Sequence, residues 1–68
     1  MKMIDVMSSN VESIGWENNT LFVKYKQNGI TYSYDNVPEN VFNDLMNAPS
    51  HGRFVNESIK PYYTCTRL

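Results

Sequence analysis

Asn28-Gly29 lies between two runs of β-forming residues, and no other step in the chain restricts the backbone as strongly. A type I′ turn needs positive φ at both central positions, and Asn-Gly accepts that geometry at the least cost. The step predicts a hairpin joining residues 20–26 to residues 30–34. Asn18-Asn19 predicts a second hairpin, joining residues 13–17 to 20–26. Tight turns at both places pair Glu17 with Thr20, Trp16 with Leu21 and Ile14 with Val23, then Gln27 with Ile30, Tyr25 with Tyr32 and Val23 with Tyr34. Both registers put Ile14, Trp16, Leu21, Val23, Tyr25, Ile30, Tyr32 and Tyr34 on one face. The reverse face then carries Ser13, Gly15, Phe22, Lys24, Lys26, Thr31 and Ser33 and reads as solvated apart from Phe22.

An apolar sheet face needs a cover, and the next segment supplies helical periodicity. Pro38 suits a first helical position, and Glu39 in the first turn suits the helix dipole. Val41, Phe42, Leu45, Met46 and Ala48 recur at helical spacing, with Asn40, Asn43, Asp44 and Asn47 facing outward. Pro49 ends that helix. Ser50 can cap a second, shorter one with Phe54, Val55 and Ile59 on its apolar side, and Pro61 ends it in turn. The tail from Tyr62 to Leu68 is rich in β-formers and is a candidate C-terminal strand. Residues 1–9 are expected to be loose or packed at the sheet edge. The expected fold is α+β: a three-stranded antiparallel meander covered by two short helices, in one domain over residues 1–68.

Composition narrows the function. A chain of 68 residues buries only about 60% of its unfolded surface, so its core is thin. The net charge of -1 gives no general polyanion-binding coat. One cysteine, Cys65, allows no internal disulfide, and no Cys/His cluster has metal-ligand spacing. We therefore expect no metal and no cofactor. The longest apolar runs are no longer than Leu21-Phe22-Val23, which excludes a membrane span, and Lys2 and Asp5 interrupt any secretory pattern. The expected compartment is the cytoplasm. A Cys65/His51/Asp44 arrangement can be written down, but no spacing supports it, and no acid–base or phosphate-loop motif is present. The chain reads as non-enzymatic.

The ordered series Ser8-Ser9, Ile14-Gly15-Trp16, Leu21-Phe22-Val23, Gly29, Tyr32-Ser33-Tyr34, Val37-Pro38, Ala48-x-Ser50-x-Gly52, Phe54, Asn56, Ile59 and Tyr62-Tyr63 resembles the KTSC domain family. That family is named for the C-terminal extension of some lysyl-tRNA synthetases and includes short stand-alone bacterial and phage proteins. The resemblance implies a small binding module with RNA as the partner. It carries over no catalytic residue.

Three groups of residues are candidates for contact. Tyr32 and Tyr34 share a face with Trp16 and Tyr25; these rings are either core with hydroxyls at the rim, or a platform on which bases stack. On the reverse face Phe22, with Lys24, Lys26 and Ser33 around it, is either a contact for a phosphate-bearing strand or protein, or a ring covered by the tail. Arg53, at the start of the second helix, and Lys60 could hold an anion, whereas capping alone explains Ser50. Two partner classes follow: RNA, or a protein partner, as for a small phage or prophage protein that binds a host protein. A structural accessory role is the third reading.

Overall fold

The computed structural model describes residues 1–68. Its elements are β1 (Ile4–Asp5), β2 (Val11–Glu17), β3 (Thr20–Tyr25), β4 (Thr31–Tyr34), α1 (Glu39–Met46), α2 (His51–Phe54) running into a π-helical turn (Val55–Ile59), and β5 (Cys65–Arg67). The class is α+β, as expected. The meander is wider than expected: five antiparallel strands in the order β1-β2-β3-β4-β5, not three. The tail supplies β5 at one edge. At the other edge β1 pairs Ile4 with Ile14 and Asp5 with Ser13, so the N-terminal segment is edge-packed. A two-residue strand has no periodicity to read; it forms because β2 presents a free edge.

The first turn has the expected form. Asn18 and Asn19 have φ of 51° and 61°, and Glu17↔Thr20, Trp16↔Leu21 and Ile14↔Val23 pair across it. The second turn does not. Of Asn28 and Gly29, only Gly29 has positive φ (68°), and Leu21↔Tyr34 and Val23↔Tyr32 pair instead of Val23 with Tyr34 and Tyr25 with Tyr32. The connection is a longer loop in which Gly29 N–H donates to the Tyr25 carbonyl (3.0 Å) and Asn28 Oδ1 accepts from Ile30 N–H (2.9 Å). This Asx bond holds Asn28 out of the left-handed region and replaces the type I′ turn. The register moves by two residues, an even displacement that leaves the faces of Val23, Tyr32 and Tyr34 unchanged. Ile30 and Lys26 fall in the loop. Ile30 lines the reverse face, not the core, and Lys26 donates to the Ser8 carbonyl (2.6 Å).

A β-bulge between Val11 and Ser13 decides the start of β2. Strict alternation from Ile14 would bury Glu12 and expose Val11. The extra residue reverses this: Val11 is fully buried, and Glu12 pairs with Lys24 at 3.2 Å on the reverse face.

The core lies between the sheet and the helical segment that connects β4 to β5. It comprises Val11, Ile14, Leu21, Val23, Tyr34, Val37, Leu45, Val55 and Ile59. Pro38 stands at the N-cap of α1 and not inside it, and Ser50 Oγ accepts from Arg53 N–H (3.3 Å) at the start of α2. Trp16 is half-buried; it stacks on Phe42 with centroids 6.2 Å apart, and its indole N–H donates to the Val37 carbonyl (2.8 Å).

The reverse face is solvated only in part. Ser13 and Ser33 are buried, and Gly15 lies beneath the N-terminal segment: a Cβ there would meet Met3 Sδ at 2.7 Å and Met1 Sδ at 3.1 Å. The Met1 ammonium pairs with Glu17 at 3.2 Å. These contacts join the first residues to β2, and no local pattern announces them.

Candidate functional site

Stacking of Trp16 on Phe42 places α1 over one end of the sheet. At the other end the face opens into a cleft of about 500 Å³ lined by Tyr25, Tyr32 and Tyr34 from the sheet, Asn10 before β2, Gly52, Asn56 and Lys60 from the helical segment, and Cys65 from β5. Gln27 and Asn28 complete the rim. Gly52, Asn56 and Lys60 recur every fourth residue, so one helical side offers a small residue, an amide and a cation beside the apolar Val55 and Ile59. Gly52 has no side chain because Asn10 occupies the space: a Cβ would lie 3.1 Å from its amide nitrogen and oxygen. The wall of the cleft is that close approach of α2 to the start of β2.

The tyrosines divide the work. Tyr34 is buried, whereas Tyr25 and Tyr32 are half-buried and meet edge to face at 5.6 Å. Tyr25 Oη and Tyr34 Oη lie 3.3 Å apart. One donates to the other, which leaves one phenolic proton for a ligand. Lys60 Nζ lies over the Tyr25 ring, 5.5 Å from its centroid, within cation–π range. No Asp, Glu or His lines the cleft.

Burial pushes the Tyr34 phenol far above the ordinary tyrosine range, and its hydrogen bond to Tyr25 adds to the rise. Burial raises Tyr25 as well, against a lowering by the bond from Tyr34. Unfolded tyrosines ionise near pH 10, while the folded protein keeps both of these protonated. Above that pH the unfolded chain binds fewer protons than the folded one, so the stabilisation is complete below about pH 10 and falls as pH rises beyond it. Urea midpoints at pH 8 and pH 11 test this. The midpoint should drop at pH 11, and drop less in Tyr34→Phe; equal midpoints would contradict the burial of this pair.

The residues singled out in the sequence do not form one surface. Phe22 and Lys24 line a shallow groove on the reverse face with Met1, Met3, Ile30, Thr31 and Leu68. Ser33 is buried on that same side, opposite Thr66. Lys24 is paired with Glu12, Lys26 is held by Ser8, and Arg53 is paired with Glu57 at 2.9 Å. Lys60 alone among those cations joins Tyr25, Tyr32 and Tyr34 in the cleft. Sequence reasoning missed Asn10, Asn56, Cys65 and Arg67. Cys65 stands opposite Tyr34 and Arg67 opposite Tyr32 across the β4–β5 ladder, which places both on the tyrosine face. The four-residue recurrence of Gly52, Asn56 and Lys60 was the available signal; nothing local announced Asn10 or Arg67.

Residues 7–63 match the KTSC domain family. A protein of Tsukamurella paurometabola is 40% identical to this chain over 68 residues, which is 97% of this chain and 100% of that protein. The crystal structure of a KTSC domain protein from Yersinia pestis superposes with a TM-score of 0.92 at 35% identity, over 98% of this chain and 96% of that one. Tyr32, Tyr34, Gly52 and Asn56, four of the residues that carry the sequence resemblance, line the cleft.

Proposed function

This chain belongs to the KTSC domain family, and from that premise and the tyrosine cleft we propose that it is a small non-enzymatic binding module for single-stranded RNA. One observation carries the reading: a cleft of nucleotide size joins two half-exposed aromatic rings, several amides and a lone cation, with no carboxylate. Unpaired bases stack on such rings, and amides meet their hydrogen-bonding edges. The ion pairs engage the Met1 ammonium, Lys24 and Arg53. Lys60 and Arg67 stay outside them, and they stand beside Tyr25 and Tyr32 respectively. Cys65 is the nucleophile of the lining, and no His, Asp or Glu lines the cleft to activate it, which supports binding without turnover.

Two phosphate contacts, at Lys60 and Arg67, give a shallow log–log salt slope of about -1.4 for a single strand. Stacking then carries most of the affinity, so Tyr32→Ala should weaken binding by about 1–3 kcal/mol. The test is fluorescence-anisotropy titration of single-stranded RNA oligomers at two salt concentrations with wild type and Tyr32→Ala. No detectable binding at low salt would sink the reading.

The reverse-face groove favours a second reading. Phe22, Met1, Met3, Ile30 and Leu68 form an apolar strip with Lys24 at its side, a composition suited to a protein partner, such as a host protein bound by a phage product. Phe22→Ala distinguishes the two. It should leave RNA affinity unchanged under the first reading and abolish partner binding under the second.

A further inference from the structure

We infer that Lys60 is a built-in placeholder in the cleft. In the free protein its ammonium covers the face of Tyr25 that a base takes in the complex, and binding transfers it to the phosphate of the same nucleotide. The inference rests on the nucleic-acid reading of the cleft and deepens it, because it defines the ligand unit as a base with its phosphate. Lys60 is exposed and has no carboxylate within ion-pair distance, while its Nζ is 5.5 Å from the Tyr25 centroid. An unpaired ammonium on a flexible stem would otherwise stay in water; the ring face holds it over the cleft. The remaining donors point to the same ligand chemistry. The Tyr25–Tyr34 hydroxyl pair keeps one spare proton, and Asn10 Oδ1 accepts from the Ser9 hydroxyl at 2.8 Å, while its NH₂ is free to donate. A lining rich in donors, with one cation and no carboxylate, suits a planar, acceptor-rich anion.

The exchange sets a selectivity. A nucleoside that stacks on Tyr25 must displace the ammonium and gives it nothing in return, losing about 0.5–1 kcal/mol of cation–π attraction, which is about two- to fivefold in affinity. A nucleotide offers the displaced ammonium a phosphate, a charge-assisted contact. Lys60 thus penalises the base alone and favours the base with its phosphate.

The experiment is NMR titration of wild type and Lys60→Gln with uridine, uridine 5′-monophosphate and a uridine oligomer. The position is exposed, so the variant folds, and its melting temperature checks this. In free wild type the Lys60 Hε resonances should show an upfield ring-current shift from Tyr25 that is lost on binding the monophosphate. Wild type should prefer the monophosphate over uridine by about ten- to a hundredfold, the equivalent of a contact to a charged group. Lys60→Gln should reduce that preference to within about twofold and bind uridine about two- to fivefold more tightly, as loss of the cation–π contact requires. An unchanged preference in Lys60→Gln, or weaker uridine binding, would overturn the placeholder role and leave the RNA reading intact if the oligomer still binds. Failure of all three ligands to bind wild type would overturn both.

Discussion

Leu45→Ala should lower the free energy of unfolding by about 2–5 kcal/mol. Leu45 is the one fully buried residue of α1, and its side chain closes the core over the β2–β3 strands. Removing it leaves a cavity that this short helix can collapse into only partly, since Val41, Phe42 and Met46 on the same side are half-buried already. At roughly 0.05–0.15 kcal/mol per residue, a chain of this length has about 3–10 kcal/mol in total. The variant should therefore lose most of its cooperative unfolding transition, by urea titration with far-UV circular dichroism. A wild-type midpoint would mean that α1 does not cover the sheet.

Trp16→Ala is the second large effect, about 3 kcal/mol, the lower end for a tryptophan truncation because the ring is half-buried. Two contacts are lost together, the stack on Phe42 and the indole bond to the Val37 carbonyl. Val37 is fully buried, so its carbonyl is left without a partner, at a cost of about 1–3 kcal/mol. Trp16→Phe separates the two in part, since it keeps an aromatic ring against Phe42 while removing the donor together with the pyrrole part of the indole. Thermal unfolding followed by far-UV circular dichroism should place Trp16→Phe between wild type and Trp16→Ala. Equal losses in both variants would mean that the ring retained against Phe42 contributes nothing, leaving the effect to the hydrogen bond and the lost part of the indole.

Much of the scaffold was legible from contiguous residues. Asn18-Asn19 specified its turn and register because positive φ at two successive residues is a local demand that few side chains accept. The helix over α1 followed from Val41, Phe42 and Leu45 at helical spacing, and the cap at Ser50 from its hydroxyl. The Asn28-Gly29 reading failed locally and survived globally: an Asx bond at Asn28 lengthened the loop, yet the even shift kept Tyr32 and Tyr34 on the expected face. The bulge at Val11 could have been read as a break in alternation, since a regular strand would have buried Glu12.

The cleft was legible only in parts. Tyr25, Tyr32, Tyr34 and Lys60 were visible as residues of interest, but their assembly with Asn10, Gly52 and Asn56 required α2 to approach the start of β2. Lys24, Lys26 and Arg53 show the converse. Each is a free cation in the sequence, and each is engaged in the fold by Glu12, Ser8 or Glu57.

The sequence alone determined the α+β class, the central meander, its apolar face and the two covering helices, because turn chemistry, capping and periodicity act between neighbours a few residues apart. Tertiary structure decided the two edge strands, the partly covered reverse face, and which cations remain free beside which rings. Those depend on contacts between segments far apart in the chain, where the approach of one backbone to another selects the partner and no local pattern records the choice.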